Sequence, residues 1–375
     1  MPHFRLACTE CPASYSADMT TLHCTKCNSV LDVAYTTDEV HNAQCNPSAM
    51  PIPTPLRNPA DAISLGEGNT PTVNLRNLGN SLGISRLYAK LEAMNPTGSF
   101  KDRGTAVMMS VAKEMGVTQV VEDSSGNAGA SVSAYAARAG IDAHIFAPAS
   151  APAAKLGQIA VYGATTHAID GDRQAVTDAA VDFANSNSIV YASHNLSPYF
   201  TEGTKTFAYE VVEQFGDDLP QHIVLPVGNG SLLIGTHKGF TEIKVAGKIS
   251  RIPTLHAVQA QAVMPLVAAF NGKPAPTTGA TIAGGIAVAN PPRLLQCVRA
   301  LNDTGGAAVA VAEVDILRWQ RQIAAQEGVF IEPTSSAAFA GVKALLDMGK
   351  IQSADSILVA ATGFGLKDAM PPSDD

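Results

Sequence analysis

The 375 residues of this chain lack the features that mark several classes of protein. There is no long basic run, and 25 Lys and Arg against 33 Asp and Glu give a formal net charge of −8. This balance argues against a nucleic-acid partner. No apolar run approaches the roughly 20 residues that a helix needs to span a membrane, so we expect no membrane partner. The first residues also lack the apolar core of a signal peptide, which predicts a cytoplasmic protein.

What the chain does have is a length beyond one ordinary domain, a hydrophobic content of 46% and 31 glycines, all of which suit an α/β protein with buried sheets. After Leu87 the pattern alternates between short apolar strands and longer helical segments. The predicted strands are 119–123, 143–147, 165–169, 188–192, 222–227, 254–259, 307–311 and 356–361. The predicted helices include 128–139, 153–162, 173–185 and 201–215. This alternation predicts parallel sheets that are covered by helices on both faces.

Four of the six cysteines form two short pairs near the start of the chain, Cys8-x-x-Cys11 and Cys24-x-x-Cys27, with twelve residues between the pairs. Two such knuckles can close a tetrahedral structural zinc site, because each turn directs two thiolates at one centre. The alternatives are disulfides, which are disfavoured without a secretion signal, and unligated thiols. A ribbon this small, followed by a predicted strand at 30–35, buries too little to fold without a metal. Four thiolates leave no open coordination position, so we predict no catalysis there.

Lys101 is the strongest single candidate for a catalytic residue. It follows a Gly-Ser-Phe turn within Asn95-Pro-Thr-Gly-Ser-Phe-Lys-Asp-Arg-Gly104 and precedes helix-compatible residues. We therefore predict that it lies at the start of a helix, where the positive end of the dipole disfavours an ammonium group. A neutral lysine amine is the nucleophile that forms a Schiff base with a carbonyl compound. The ordinary alternative is a solvated surface charge, which is what most lysines are.

Two glycine-containing loops follow predicted strands and open predicted helices. Their sequences are Ser124-Ser125-Gly126-Asn127 and Gly228-Asn229-Gly230-Ser231. Backbone N–H groups at a helix start bind anions, and glycines let the backbone approach a phosphate closely. Either loop alone also fits an ordinary capped helix start. The second loop is not a dinucleotide-binding fingerprint, because a third glycine and the later acidic residue are missing.

The lysine segment closely resembles that of threonine synthases, within the pyridoxal-phosphate (PLP) dependent, tryptophan-synthase-β-like family of fold type II. The likeness extends over nearly the whole chain from Leu65. Further segments that resemble the family follow in its order: Glu67-Gly-Asn-Thr-Pro71, Glu202-Gly-Thr-Lys-Thr206, Glu332-Pro-Thr-Ser-Ser-Ala337 and Thr362-Gly-Phe-Gly-Leu-Lys-Asp368. Several motifs in one order are more specific than any one of them.

The resemblance implies a fold and an organisation for the chain. The fold class would be α/β, with two three-layer α/β/α domains of mostly parallel sheets and a small zinc ribbon at the N-terminus. We expect the ribbon at residues 1–40, a large PLP-binding domain at 41–104 and 197–375, and a smaller inserted α/β domain at 105–196. The partner would be a small-molecule amino-acid substrate, and the expected assembly is a homodimer.

The resemblance also implies a role for each motif. Lys101 would carry PLP and act as the general base on the substrate. The loop that would bind the substrate α-carboxylate comprises Ser124, Ser125, Gly126 and Asn127, and Asn127 would also bind the phenolic oxygen of the cofactor. The loop that would bind the PLP phosphate comprises Gly228, Asn229, Gly230 and Ser231. The Thr362 hydroxyl would meet the pyridine nitrogen, where it affects how strongly the ring withdraws electrons.

The implied activity is that of a lyase that converts O-phospho-L-homoserine and water to L-threonine and phosphate. Phe200, however, stands where a phosphate-binding arginine is expected, and Ala128 stands where a second threonine hydroxyl is usual. A second expected arginine is missing from residues 285–291. These departures leave open a PLP-dependent paralogue that acts on a non-phosphorylated amino acid, such as a serine/threonine-type dehydratase, an ammonia-lyase or a β-replacement synthase. A catalytically silent PLP-binding regulatory protein is a third alternative.

Overall fold

The computed structural model describes residues 4–35, 52–151 and 153–371. Within these ranges the chain forms two compact units. The first unit comprises the described residues up to Glu67 together with Lys101–Thr206, and the second comprises Gly68–Phe100 together with the described residues from Phe207 onward. The division into three domains stays a prediction, and its boundary at residues 40 and 41 lies outside the described residues.

The elements are numbered here in chain order over the described residues. The strands are β1 (Phe4–Cys8), β2 (Ser14–Tyr15), β3 (Leu31–Tyr35), β4 (Thr72–Asn74), β5 (Arg86–Lys90), β6 (Gln119–Glu122), β7 (Asp142–Pro148), β8 (Thr165–Ile169), β9 (Val190–Tyr191), β10 (His222–Pro226), β11 (Thr254–Ala260), β12 (Ala308–Val311) and β13 (Ser356–Ala360). The α-helices are α1 (Arg76–Leu82), α2 (Lys101–Glu114), α3 (Asn127–Ala139), α4 (Ala153–Val161), α5 (Arg173–Asn187), α6 (Pro198–Thr204), α7 (Thr206–Phe215), α8 (Ser231–Val245), α9 (Pro265–Phe270), α10 (Leu294–Asp303), α11 (Glu313–Glu327) and α12 (Pro333–Asp347).

Three sheets organise the described chain, and they confirm the predicted α/β fold class. The ribbon is a small antiparallel sheet in the order β2-β1-β3. The rest of the first unit surrounds a parallel sheet in the order β8-β7-β6-β9. The second unit surrounds a sheet in the order β12-β11-β10-β13-β5-β4, in which β4 alone pairs antiparallel. Parallel strands need crossover connections, and here helices supply them, as the alternating sequence pattern indicates.

The first unit has an apolar core that includes the ribbon. Leu6 and Leu31 from the ribbon strands belong to the same buried cluster as Met108 of α2, Val132 of α3 and Phe200 of α6. On the opposite face of the parallel sheet, apolar residues of β6 and β7 pack against α5. The ribbon therefore folds as part of the first unit's core, and helices cover both faces of this sheet.

The sequence pattern at 201–215 predicted one helix, and this prediction is wrong. The structure has α6 and α7 instead, separated at Lys205. Pro198 occupies the first turn of α6, where its missing N–H costs nothing. The hydroxyl of Thr206 donates to the carbonyl of Gly203 at 2.8 Å, which adds a side-chain hydrogen bond at the break. Among the described helices, none is long and apolar enough to cross a membrane.

Candidate active site

Lys101 is the first residue of α2, which confirms the prediction of a helix start. The residue before it, Phe100, donates its backbone N–H to the carbonyl of Thr362 at 3.0 Å, so the turn that leads into the helix is tied down. The Lys101 side chain is half-buried, and its Nζ lies 5.4 Å from the centroid of the Phe200 ring. A cation over an aromatic face at this distance is attracted to it, so Phe200 helps to hold the amine.

Phe200 is completely buried and fits against Gly104 on α2. A Cβ added at Gly104 would lie 2.5 Å from the ring, so the contact requires a residue without a side chain. The sequence marked Phe200 as a departure from an expected arginine, and the structure gives the ring a packing role instead. It fills the space beneath the first turns of the lysine helix.

Glu122 and His194 form a buried pair next to Phe200. This pair was not predicted from the sequence. His194 Nδ1 lies 2.8 Å from Glu122 Oε1, and the His194 backbone N–H donates to Oε2 at 3.1 Å. Burial raises the pKa of Glu122 to about 7 and holds the pKa of His194 well below its usual value. The His194 ring meets Phe200 edge-on at 5.8 Å. The available signal in the sequence was an acidic residue, Glu122, at the end of an apolar strand just before the loop that is predicted to bind an anion.

The Ser124–Asn127 loop joins β6 to α3, as predicted. Helix α3 begins at Asn127, and the backbone N–H of Gly126 donates to Ser124 Oγ at 3.3 Å. At the base of the loop, Thr177 Oγ1 donates to Asp123 Oδ2 at 2.6 Å, and Arg173 pairs with the same carboxylate at 2.7 Å. The loop is thus held in place at the positive end of a helix, where a carboxylate is favoured.

In the second unit, the Gly228–Ser231 loop leads from β10 into α8. Gly230 has a left-handed backbone with φ of 87°, and a Cβ at this position would lie 2.1 Å from Cys297 Sγ. Within the described part of the chain, the backbone N–H groups of Gly228, Asn229 and Gly230 donate to no protein acceptor. Three unsatisfied donors at a helix start suit a phosphate group.

Thr362 lies just beyond the end of β13, in the second unit, and is buried. Its hydroxyl donates to Glu332 Oε1 at 3.0 Å and lies 2.9 Å from Ser335 Oγ. Ser335 in turn accepts the Gly363 N–H at 3.0 Å. Sequence reasoning gave Ser335 no role, although it stands three residues after Glu332 in one of the recognised motifs. In this structure the single hydroxyl proton of Thr362 is engaged by Glu332, which leaves the oxygen able to act as an acceptor.

The four predicted cysteine ligands come together in the ribbon. Their sulfur atoms all lie within 4.8 Å of one another, with Cys8 and Cys27 at 3.4 Å and Cys11 and Cys24 at 3.6 Å. Tetrahedral zinc with Zn–S bonds of about 2.3 Å places sulfurs roughly 3.8 Å apart. The backbone N–H groups of Glu10 and Lys26 donate to Cys8 and Cys24, each at 3.4 Å. This donor set fits a structural zinc ion.

Comparison with known proteins decides the family. The pyridoxal-phosphate dependent enzyme family matches residues 63–363. The threonine synthase of Methanosarcina acetivorans is 35% identical to this chain over 376 residues, which cover 97% of this chain and 92% of that protein. The chain belongs to the threonine synthase family of PLP-dependent enzymes. The threonine synthase of Methanocaldococcus jannaschii is also similar, at 33% identity over 96% of this chain and 92% of that protein.

Solved structures of PLP enzymes share the fold. Maize serine racemase superposes with a TM-score of 0.71 at 22% identity, covering 88% of this chain and 93% of that one. At this identity the likeness concerns the fold alone. Each of the two compact units contains groups of the kind that bind PLP. The first unit contains the Lys101 amine, and the second contains the backbone N–H groups of Gly228–Gly230 at the start of α8.

Replacing Gly230 tests whether the α8 loop tolerates any side chain. We expect Gly230→Ala to lower the free energy of unfolding by about 2 kcal/mol or more, because the left-handed backbone and the Cys297 sulfur both oppose a Cβ. Gly247→Ala is the matched control, since Gly247 has φ of 70° but no atom within 4 Å of its Cβ position, and should cost about 1 kcal/mol. Urea unfolding measures both. Equal losses in the two variants would contradict the steric argument.

Proposed function

We propose that this protein is a PLP-dependent lyase of the threonine synthase type, which converts O-phospho-L-homoserine and water to L-threonine and phosphate. The observation that carries the proposal is the position of Lys101. It stands at the first residue of α2, within the family's lysine motif, in a chain that is 35% identical to a threonine synthase over 97% of its length. We further propose that the enzyme is cytoplasmic and acts as a homodimer.

Each predicted residue receives a role in this proposal. Lys101 is the lysine that holds PLP. The residues that bind the substrate α-carboxylate are Ser124, Ser125, Gly126 and Asn127, and Asn127 also binds the phenolic oxygen of PLP. The residues that bind the PLP phosphate are Gly228, Asn229, Gly230 and Ser231. Thr362 binds the pyridine nitrogen through its hydroxyl, and a structural zinc ion is held by Cys8, Cys11, Cys24 and Cys27. The fixed loops and unsatisfied donors described above support these assignments.

The proposed reaction depends on moving a proton from the substrate Cα. When bound, PLP serves as the electron sink that makes this proton acidic. The Ser124–Asn127 loop holds the substrate carboxylate, which orients the Cα–H bond towards a base. Lys101 Nζ then takes the proton and later returns it, and the half-buried position of this amine limits its contact with water. The Phe200 ring, 5.4 Å from Nζ, restricts where the amine can move.

A second candidate function is favoured by one observation. Phe200 occupies the position of an expected phosphate-binding arginine, and its buried ring offers no hydrogen-bond donor to a dianion. A paralogue that acts on a non-phosphorylated amino acid, such as a serine/threonine-type dehydratase, needs no such donor. The two candidates share PLP chemistry at Lys101 and differ in the leaving group.

Product analysis distinguishes the candidates. The purified PLP-loaded protein would be given O-phospho-L-homoserine, L-serine or L-threonine, while free phosphate, L-threonine and 2-oxo acids are measured. We expect phosphate and L-threonine to appear in equal amounts, with about 100-fold or greater preference for the phosphorylated substrate. Formation of 2-oxo acid from L-serine or L-threonine without phosphate release would establish the second candidate. A protein that acquires no visible absorbance band with PLP would refute the cofactor role of Lys101.

A further inference from the structure

Helix α6 (Pro198–Thr204) lies between the ribbon and helix α2, and all three belong to the first unit. Tyr199 is on the face towards the ribbon. Its ring meets Phe4 of β1 edge-on at 6.1 Å, and its hydroxyl donates to the carbonyl oxygen of Asp18 at 2.7 Å. Asp18 stands in the segment between the two cysteine pairs, and its carboxylate accepts the backbone N–H groups of Thr20 and Thr21 at 2.7 and 2.6 Å. These hydrogen bonds stabilise the turn and so hold the Asp18 carbonyl, to which Tyr199 donates, in position.

Glu202 extends the same face of α6. The hydroxyl of Tyr35 in β3 donates to Glu202 Oε2 at 2.8 Å, and Lys205 Nζ lies 2.6 Å from the same oxygen. Lys205 Nζ also lies 4.7 Å from the centroid of the Tyr35 ring. Glu202 and Lys205 are both buried, so this ion pair depends on its neighbours for further hydrogen bonds. Tyr35 of the ribbon strand β3 supplies one of them.

The other face of α6 packs against the helix that begins at Lys101. A Cβ added at Gly203 would lie 1.8 Å from the carbonyl oxygen of Arg103, so the two backbones touch at this point. Phe200, on the same face, fills the space at Gly104 and lies beneath Lys101 Nζ. Positions 199 and 202 thus face the ribbon, and positions 200 and 203 face α2. This division follows the spacing of residues along a helix.

A helix of seven residues is too short to be stable alone. Contacts with the ribbon and with α2 must therefore hold α6 in position. Because these contacts lie on its two faces, a movement of the ribbon can be passed through α6 to α2. A shift of α6 away from the ribbon would move the Phe200 ring and the Gly203 backbone away from the first turn of α2. The contact at Gly203 is made by backbone atoms, so a change of side-chain rotamer alone cannot absorb such a shift.

We propose that the cysteine ribbon is a positioning element for Lys101: it braces α6, and α6 sets Phe200 and the first turn of α2. Tyr199 and Tyr35 are its positioning residues, since each reaches from one side of this contact to the other. The inference rests on the proposed roles of Lys101 as the cofactor lysine and of the four cysteines as zinc ligands. The ribbon would then influence the position of Lys101, which is not itself one of the residues of the metal site.

Hydrogen exchange of the full-length, PLP-loaded protein tests the brace directly. We expect removal of zinc by a chelator to speed amide exchange in residues 198–205 and in the first turn of α2 about tenfold or more. Helix α5, which belongs to the same unit but packs on the other face of the sheet, serves as the internal control and should keep its rate. An unchanged rate in residues 198–205 after the metal has left, or an equal rise in α5, would overturn the proposal.

A matched pair of variants separates positioning from general destabilisation. Tyr199→Phe removes one buried hydroxyl that donates to the carbonyl of Asp18 in the ribbon, and Tyr209→Phe removes one that donates to Glu242 at 2.9 Å within the second unit. We expect Tyr199→Phe to raise exchange in residues 198–205 about fivefold, the factor that one hydrogen bond is worth. It should also shift the pH midpoint of the visible PLP band while zinc content is kept.

Tyr209→Phe should leave the exchange of residues 198–205 and the visible band as they are. If Tyr199→Phe behaves like Tyr209→Phe in both measurements, the ribbon does not position Lys101. The exchange measurement needs no substrate, so a failure of the proposed threonine synthase activity would leave it intact. If exchange in α6 becomes faster while the pH midpoint of the PLP band stays the same, the ribbon stabilises α6 but does not position Lys101, and the proposal is refuted.

Discussion

Lys101→Ala is expected to abolish both the visible PLP band and turnover. The amine of Lys101 is proposed to hold the cofactor and to move the substrate proton, and general base catalysis alone contributes about 10²–10⁴-fold in rate. Loss of both roles should reduce kcat by about 10⁴-fold or more. The fold should survive, because the deletion removes one half-buried side chain and a contact with Phe200 worth about 1 kcal/mol.

The control for this variant is Lys113→Ala, which removes an exposed lysine from the last turn of the same helix. It should keep the visible band, the kcat and the melting temperature of the wild type. Absorbance after reconstitution with PLP, steady-state kinetics and thermal unfolding measure the three properties. Retention of the band and of turnover in Lys101→Ala would show that another amine carries the cofactor, and the assignment of α2 would then be wrong.

Cys24→Ser is expected to remove the metal and to destabilise the first unit. A serine hydroxyl is a poor zinc ligand at neutral pH, so the site is left with three thiolates. Zinc binding to such ribbons is worth about 10 kcal/mol, and a ribbon this small has little other means of folding. The loss should spread beyond the ribbon, since Leu6 and Leu31 share a core cluster with α2 and α3.

Metal content and thermal unfolding check this expectation together. The wild type should contain one zinc ion per chain, and Cys24→Ser should contain about none and melt about 10 °C or more lower. Cys45→Ser is the matched control, because Cys45 belongs to neither cysteine pair in the sequence. The structural metal site would be refuted if the wild type binds no zinc, or if Cys24→Ser and Cys45→Ser have the same melting temperature.

Much of the site could be predicted because its signals are local in the chain. The position of Lys101 at a helix start depends on the turn before it and on the residues after it. The cysteine pairs are local knuckles, and the structure brings their four sulfur atoms within 4.8 Å. The loops at 124–127 and 228–231 were predicted from glycines placed between a strand and a helix, and both open helices as expected.

Predictions failed or were absent where the decisive partner is distant in the chain. Glu122 and His194 are separated by 72 residues, and each looks ordinary in its own segment. The single helix predicted at 201–215 divides at Lys205, next to Gly203, whose backbone lies against the Arg103 carbonyl from a distant segment. Phe200 was recognised only as a missing arginine, whereas the structure shows it packed between Gly104 and His194.

The sequence by itself determined the α/β class, the cofactor lysine motif, the cysteine quartet and the family, because these depend on periodicity, spacing and the order of motifs. Tertiary structure alone decided what surrounds these groups: the buried Glu122–His194 pair, the Ser335 hydroxyl beside Thr362, and the ribbon against α6. The physical reason is that packing joins residues from distant segments. A pattern of apolar and polar residues indicates that a side chain is buried, but only the folded chain supplies the neighbours it is buried against.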